Sequence, residues 1–165
     1  NKAILDKLVK ESNGTDYKAH KVVTGVEDVV DATMLDLDSA LIEGSALYMN
    51  RQTLAKLAKD KNTENGLIYI QTDLTQPAKA FINGVPVRVV AKELEPYEKD
   101  SKKVFPILFA NMKEAIIMFE NEEFTTEIQR NFRANVVDQK IITYFDVQEA
   151  DKEAYTILGL EEAIA

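Results

Sequence analysis

Residues 46–59 read Ala46-Leu47-Tyr48-Met49-Asn50-Arg51-Gln52-Thr53-Leu54-Ala55-Lys56-Leu57-Ala58-Lys59, and two periodicities meet at Asn50. The run from Ala46 to Met49, bounded by Gly44 and Asn50, has the uninterrupted apolar character of a buried strand. After it the spacing changes to that of a helix over 51–60, with Leu54, Leu57 and Ala58 predicted to face inward and Asn50 placed to cap the first turn. Lys56, Lys59 and Lys61 suit the negative C-terminal end of that helix. Asn65-Gly66 predicts the turn that closes the unit.

Upstream lies the clearest helical pattern in the chain. Val26, Val29, Val30, Met34, Leu37 and Leu41 form one apolar stripe, so a helix is expected near 25–42. Thr24 and Glu27 stand at capping-box spacing, and Gly44 sits where a left-handed C-terminal cap belongs. Before it, 12–20 reads as a loop opened by Ser12-Asn13-Gly14-Thr15-Asp16, and Ile4, Leu5, Leu8 and Val9 predict a short amphipathic helix over 2–11. Downstream, Leu67 to Ile70 predicts a strand and Gln71 to Lys79 an irregular loop containing Pro77. Phe81-Ile82-Asn83-Gly84-Val85-Pro86-Val87 is a strong hairpin signal, because Asn-Gly tolerates the positive φ of a type I′ turn. Pro86 has no N–H to donate, so its strand lies at an edge or pairs on one side only there.

The charged stretch 91–103 predicts a solvated loop. Phe105-Pro106-Ile107-Leu108-Phe109 and Ala115-Ile116-Ile117-Met118-Phe119 both predict buried strands, joined by a turn around Asn111. The acidic residues Glu120, Glu122, Glu123 and Glu127 follow. An extended segment from 131 to 147 alternates imperfectly, which leaves helix open for part of it. A turn at 150–152 precedes a final strand at 155–158.

The chain has 165 residues, 45% of them apolar, with 20 Lys plus Arg against 28 Asp plus Glu and a net charge of −8. That is enough apolar material for a real core. No cysteine is present, which removes disulfides, thiolate metal sites and thiol nucleophiles. No apolar run approaches the roughly 20 residues of a membrane span. The acidic balance disfavours gripping a phosphate backbone.

Candidate chemistry is sparse. His20, the single histidine, lies in the first loop, and none of Ser12, Ser39 or Ser45 sits in a Gly-x-Ser-x-Gly elbow, so a solvated loop histidine is expected there. Glu27, Asp28 and Asp31 share a helix face, yet no Asp-x-Asp-x-Asp-Gly loop supplies the further oxygens that a hard cation needs. Neither Gly-x-x-x-x-Gly-Lys nor Gly-x-Gly-x-x-Gly occurs, so nucleotide cofactors have no evident seat. The strand aromatics Tyr48, Tyr69, Phe81, Phe105, Phe109 and Phe119 read as core rather than base-stacking platforms. No catalytic, cofactor-binding or metal residue is assigned. One contrast stands out: 27–43 carries six acidic residues and no basic one, while 51–61 carries four basic residues and one acidic. Pairing between the two helices is the favoured expectation, pairing with copies of the same domain the other.

The order of these pieces resembles that of the tailed-bacteriophage major capsid proteins. Tyr48-Met49-Asn50-Arg51-Gln52, Leu54, Leu57, Lys59-Asp60 and Asn65-Gly66 are similar to that family's strand, helix and turn. Ile82-Asn83-Gly84-Val85-Pro86-Val87 resembles its Gly-x-Pro-Val hairpin. Pro106-Ile107-Leu108-Phe109 with Lys113-Glu114-Ala115, then Thr143-Tyr144-Phe145-Asp146-Val147 and Asp151-Lys152-Glu153-Ala154-Tyr155, resemble the returning strands. Asn1-Lys2-Ala3-Ile4-Leu5 resembles the end of the family's long spine helix. Lys152 and Arg51 stand where relatives usually or often have Pro. The resemblance implies an α+β phage major capsid protein fold, with an axial domain over 22–104 and, over 1–11 and 105–165, a truncated peripheral domain. It further implies that the chain, which opens at Asn1 without an initiator Met, is the C-terminal portion of a head subunit. The function implied is self-assembly into pentamers and hexamers of an icosahedral bacteriophage or prophage shell around DNA, located in the virion after assembly in the bacterial host cytoplasm. Partners would be copies of itself, with scaffold, portal and decoration proteins allowed; no sequence-specific nucleic-acid contact, membrane or cofactor is expected, and no enzymatic activity. Encapsulin nanocompartment shells share the fold and form one alternative. A small hydrolase using His20 or carboxylates such as Asp31 is the other.

Overall fold

Along residues 104–110 successive side chains alternate between two buried environments. Phe105, Ile107 and Phe109 join one apolar cluster while Leu108 and Ala110 join another. A strand buried on both faces must be a central one, covered from both sides. The computed structural model describes residues 2–13, 15–59, 70–72, 80–90, 93–120, 125–131, 133, 136–142 and 144–163. In chain order the elements are α1 (Lys2–Val9), β1 (Lys21–Val23), α2 (Val26–Leu35), α3 (Ser39–Ile42), β2 (Ala46–Asn50), α4 (Arg51–Lys59), β3 (Ile70–Thr72), β4 (Ala80–Ile82), β5 (Val85–Val90) and β6 (Tyr97–Lys99). They continue with β7 (Lys102–Ala110), α5 (Met112–Ala115), β8 (Ile116–Glu120), β9 (Thr125–Asn131), β10 (Val136–Ile142), β11 (Phe145–Glu149) and β12 (Tyr155–Ala163).

One mixed sheet runs β1-β12-β7-β2-β5-β4-β3, with β6 added alongside β7. β1 is parallel to β12 and β2 to β5; the remaining pairs are antiparallel. On one face α2 and α4 place Val26, Val29, Val30 and Leu57 against Leu47, Met49, Ile107, Phe109 and Leu158. On the other, α1 lays Leu5, Leu8 and Val9 against Leu108, Ala110, Ala115 and Ala154. Two antiparallel ribbons, β8 with β11 and β9 with β10, stand apart from this sheet.

Several local expectations hold. Asn50 caps α4, its Oδ1 accepting from the Gln52 N–H at 3.0 Å. Asn83 and Gly84 both take positive φ between β4 and β5. Pro86 pairs only with Phe81, because the pairing of β5 with β2 begins at Val87.

Others are corrected. The helix near 25–42 is two helices, since Asp38 caps α3 by accepting from the Ala40 N–H at 2.9 Å and Lys21 draws Asp36 to 2.6 Å. Met34 falls outside the inward stripe and is exposed, with Thr33 buried in its place. Ala58 is likewise exposed and Thr53 buried. Thr24 pairs with Asp28 rather than Glu27: the Asp28 carboxylate accepts from both its N–H and its hydroxyl at 2.7 Å. The stretch 91–103 contains a hairpin, β6 to β7 through Asp100-Ser101, both at positive φ, and Leu94 is buried. The extended segment becomes parts of three strands in two ribbons. The second strand expected to be buried, at 115–119, is exposed beyond Ala115 and Ile116. The Asn65-Gly66 turn, the start of the strand expected at 67–70 and most of the loop expected at 71–79 lie outside the described residues; Ile70–Thr72 is strand.

Long-range polar ties lock this arrangement. Asn111, 5% exposed, donates to the carbonyls of Leu41 and Glu43 at 3.0 Å each and accepts from the Lys113 N–H at 3.2 Å. One amide therefore closes α3 and opens α5. The sheet also draws strands from both segments that the resemblance assigns to different domains, since β7 and β12 lie beside β2.

Candidate functional site

His20 is not solvated. Its side chain is 5% exposed, with Nε2 3.5 Å from Oε1 of Glu161 on β12 and Nδ1 3.0 Å from the hydroxyl of Tyr97 on β6. The ring lies so close over Gly159 that a Cβ there would overlap the imidazole carbons. Tyr97 stacks on Tyr17, ring centres 4.2 Å apart and planes within 5°. Glu161 also meets Lys102 at 2.6 Å.

A carboxylate, an imidazole and a hydroxyl in series have the connectivity of a nucleophilic triad. The electrostatics run the other way. Burial first, then Tyr17 and Glu161, push the Tyr97 phenol up to about 12, so its hydroxyl keeps its proton. Both ring nitrogens of His20 are engaged, and Ser12, Ser39 and Ser45 are not among their partners. The array fastens the loop before β1 to β6 and β12. A second tie does the same nearby: Lys18 reaches Glu149 and the Tyr155 hydroxyl at 3.4 Å each, and that hydroxyl donates to Glu149. Glu149 is held below the usual carboxylate range, chiefly by Tyr155 and then by Lys18.

The carboxylates on α2 do not converge on a cation. Asp28 serves Thr24, which holds its carboxyl below the usual range, and no group of three or more potential ligands occurs among the described residues. Among the described residues the opposed charges of 27–43 and 51–59 do not meet either. Asp36 pairs with Lys21, and Lys56 with Glu162 at 2.5 Å. The expected internal pairing fails because both helices turn their charged sides away from the core that they share.

The features that remain are surfaces. In the β9–β10 ribbon, register places Ile128, Val137 and Ile141 on one face with Thr126, Arg130 and Gln139. The opposite face carries Lys140 beside Glu127 at 3.9 Å, and Gln129 opposite Asp138. All three aliphatic residues are exposed, Ile128 by 64%. In the β8–β11 ribbon Ile117, Met118, Phe119 and Phe145 are exposed as well, while Val147 is buried. Exposed apolar side chains gathered on small two-stranded ribbons, Val136 on the opposite face of β9–β10 among them, are candidates for contact with a partner. In the sequence, an apolar run marks β8 and an imperfect alternation marks part of β10 and β11, while β9 has no signal of its own; none of these patterns shows whether a face is covered.

Comparisons with known proteins fit this picture. The phage capsid family matches over residues 4–159. No curated protein sequence matches. Among solved structures, the capsid of an empty GTA particle is similar at 17% identity and a TM-score of 0.60, over 95% of this chain and 55% of that one. The encapsulin of the holo-SrpI complex from Synechococcus elongatus PCC 7942 is similar at 10% identity and a TM-score of 0.51, over 84% and 51%. The procapsid of satellite phage P4, which includes its size determination protein, matches at 17% and 0.45, over 81% and 38%. The chain thus spans about half the length, or less, of the structures it matches. With an α+β fold shared with a capsid protein and an encapsulin, and a family match over nearly its whole length, this chain belongs to the phage capsid family.

Proposed function

We propose that the protein works as a structural subunit of an icosahedral phage or prophage head, taking pentamer and hexamer positions in the shell that encloses DNA. The observation that carries this reading is the pair of ribbons, whose apolar side chains are left exposed among the described residues. A shell multiplies several modest contacts into one closed object, which requires rigid plates with matched edges and no reactive centre. We also propose that the axial domain is the sheet with α2, α3 and α4, and that the peripheral domain comprises α1, α5 and β8 to β11. The pairing of β7 and β12 into the same sheet as β2 supports this division in place of one at 104–105. On this reading the chain does no enzymatic work; the pairing of His20 with Glu161 and Tyr97 is a fastening. Scaffold, portal and decoration proteins are further partners of such a head. The likeness to an encapsulin favours a nanocompartment shell as the second reading.

The test is to purify particles from the source cells and examine them by mass spectrometry and electron microscopy. Peptides of this chain are expected in icosahedral particles that contain DNA. Particles that carry the chain around a protein cargo and no DNA would shift the reading to a nanocompartment. Its presence only outside particles would overturn both.

A further inference from the structure

We propose that α2 of one copy docks against α4 of a second copy, so that each subunit offers two different surfaces to its neighbours. The proposal rests on the shell reading and names the contact within it. The inward side of α2 is already complete, since Val26, Val29, Val30 and Thr33 are buried at helical spacing. Its outward side nevertheless carries Met34 and Leu35 beyond Glu27 and Asp31. Leu35, 78% exposed, is the most exposed large apolar side chain among the described residues.

The outward side of α4 is the complement. Arg51 and Lys59 stand at its two ends, with Ala55 and Ala58 between them, all exposed. Lys56 is already committed to Glu162 and to the Phe105 ring, 4.8 Å away. Neither Glu27 nor Asp31 forms an ion pair with Arg51 or Lys59 within the chain. Asp31 and Leu35 are about 6 Å apart along α2, as Ala55 is from Arg51 and from Lys59 along α4, so a register that seats Leu35 on Ala55 brings Asp31 opposite Arg51 or Lys59. Alanines leave room for the Met34 and Leu35 side chains, and cations answer carboxylates. Charge complementarity selects such a partner and sets its register. Because the two surfaces differ, the contact is heterologous, the kind that builds rings when the rotation closes.

The absence of cysteine makes the test clean. A Leu35→Cys chain is mixed with an Ala55→Cys chain in a glutathione redox buffer, and the disulfide-linked products are separated. Contact predicts that the ratio of mixed to self-linked products, one to one for random pairing of equal amounts, rises roughly tenfold through the raised effective concentration of the two thiols. Adding Glu27→Lys and Asp31→Lys to the first chain should return the products to statistical proportions. Adding Arg51→Glu and Lys59→Glu to the second should then restore the excess. All these positions are exposed, and circular dichroism checks that each variant folds; Arg51→Ala with Lys59→Ala is a milder substitute expected to weaken the excess. Statistical products from the starting pair, or no rescue by the double reversal, would overturn the proposal. Particles that contain the chain alongside statistical crosslinking would leave the shell reading intact. An excess of mixed product from a chain never found in particles would do the reverse.

Discussion

Ile107-Leu108-Phe109 and Ile117-Met118-Phe119 are nearly the same triplet, and each lies on a strand. The first is wholly buried, in the middle of the sheet; in the second every side chain is about half exposed. β7 is flanked by β12 and β2 and covered by α2 and α4 on one face and α1 on the other. Among the described residues β8 pairs only with β11. The difference teaches that apolar residues in this chain take two places, a core that folds one subunit and ribbon faces left exposed, which the shell reading gives to neighbours.

Truncation separates the two uses most sharply. Phe109→Ala removes a fully buried ring and should cost about 3–5 kcal/mol, whereas Phe119→Ala should cost about 0.5 kcal/mol or less. Urea unfolding monitored by circular dichroism measures both. Equal losses would mean that the β8 face is covered within the subunit, and the contrast would fail.

Gly159→Ala ranks next. A Cβ there meets the imidazole, so His20 must leave Tyr97 and Glu161 or the strand must shift, at about 1–3 kcal/mol. His20→Ala in the same chain should recover most of that loss, because it removes the clash. Non-additivity of this size identifies residues in contact. Simple addition of the two effects would show that the ring does not pack over Gly159.

A smaller effect belongs to the tie between body and ribbon. Glu149 ends β11, and its carboxyl is held below the usual range by the Tyr155 hydroxyl and Lys18. A lowered folded value means that the unfolded chain binds the proton more readily. The stabilisation is therefore complete above the unfolded glutamate value of about 4.3 and is lost as pH falls through the folded value. Tyr155→Phe should cost about 1 kcal/mol near neutral pH and flatten this part of the acid dependence. Urea midpoints across that range report the slope, and an unchanged slope in the variant would remove Glu149 from the account.

Much of the body was legible in the sequence for physical reasons. Asn50 as a cap, Asn83-Gly84 as a turn and the inward residues Val26, Val29 and Val30 are local features, fixed by backbone chemistry and helical period. The sequence leaves His20 looking like a solvated loop residue because its environment comes from residues 77 and 141 positions away, and no local pattern encodes Tyr97 and Glu161 meeting it. The hairpin at Tyr97–Lys99 hid for the same reason: Tyr97 is anchored by Tyr17 and His20, while its neighbours are charged. The expected helix over 25–42 runs too far because the apolar stripe continues through Leu37 while Asp38 restarts the chain as a new cap. The ribbons are half legible, since the apolar run at 115–119 gives a strand but not its exposure, and nothing local marks β9.

The smallest effect on stability is expected where the surface matters most for association. Ile128, Val137 and Ile141 share one face of the β9–β10 ribbon, and substitution of all three by Thr keeps β-branched shape while removing most of the apolar area. Because each is exposed in the single subunit, unfolding free energy should move by about 0.5 kcal/mol or less. Binding of a dye specific for apolar surface, and the second virial coefficient from light scattering, should both shift towards a non-sticky monomer. The opposite face, with Lys140 beside Glu127, supplies the control: Lys140→Thr should leave both readouts in place. If the triple variant instead lost several kcal/mol, those residues would belong to the core of one subunit. The ribbon would then be a second β7, and the partition of apolar residues between folding and assembly would have to be redrawn.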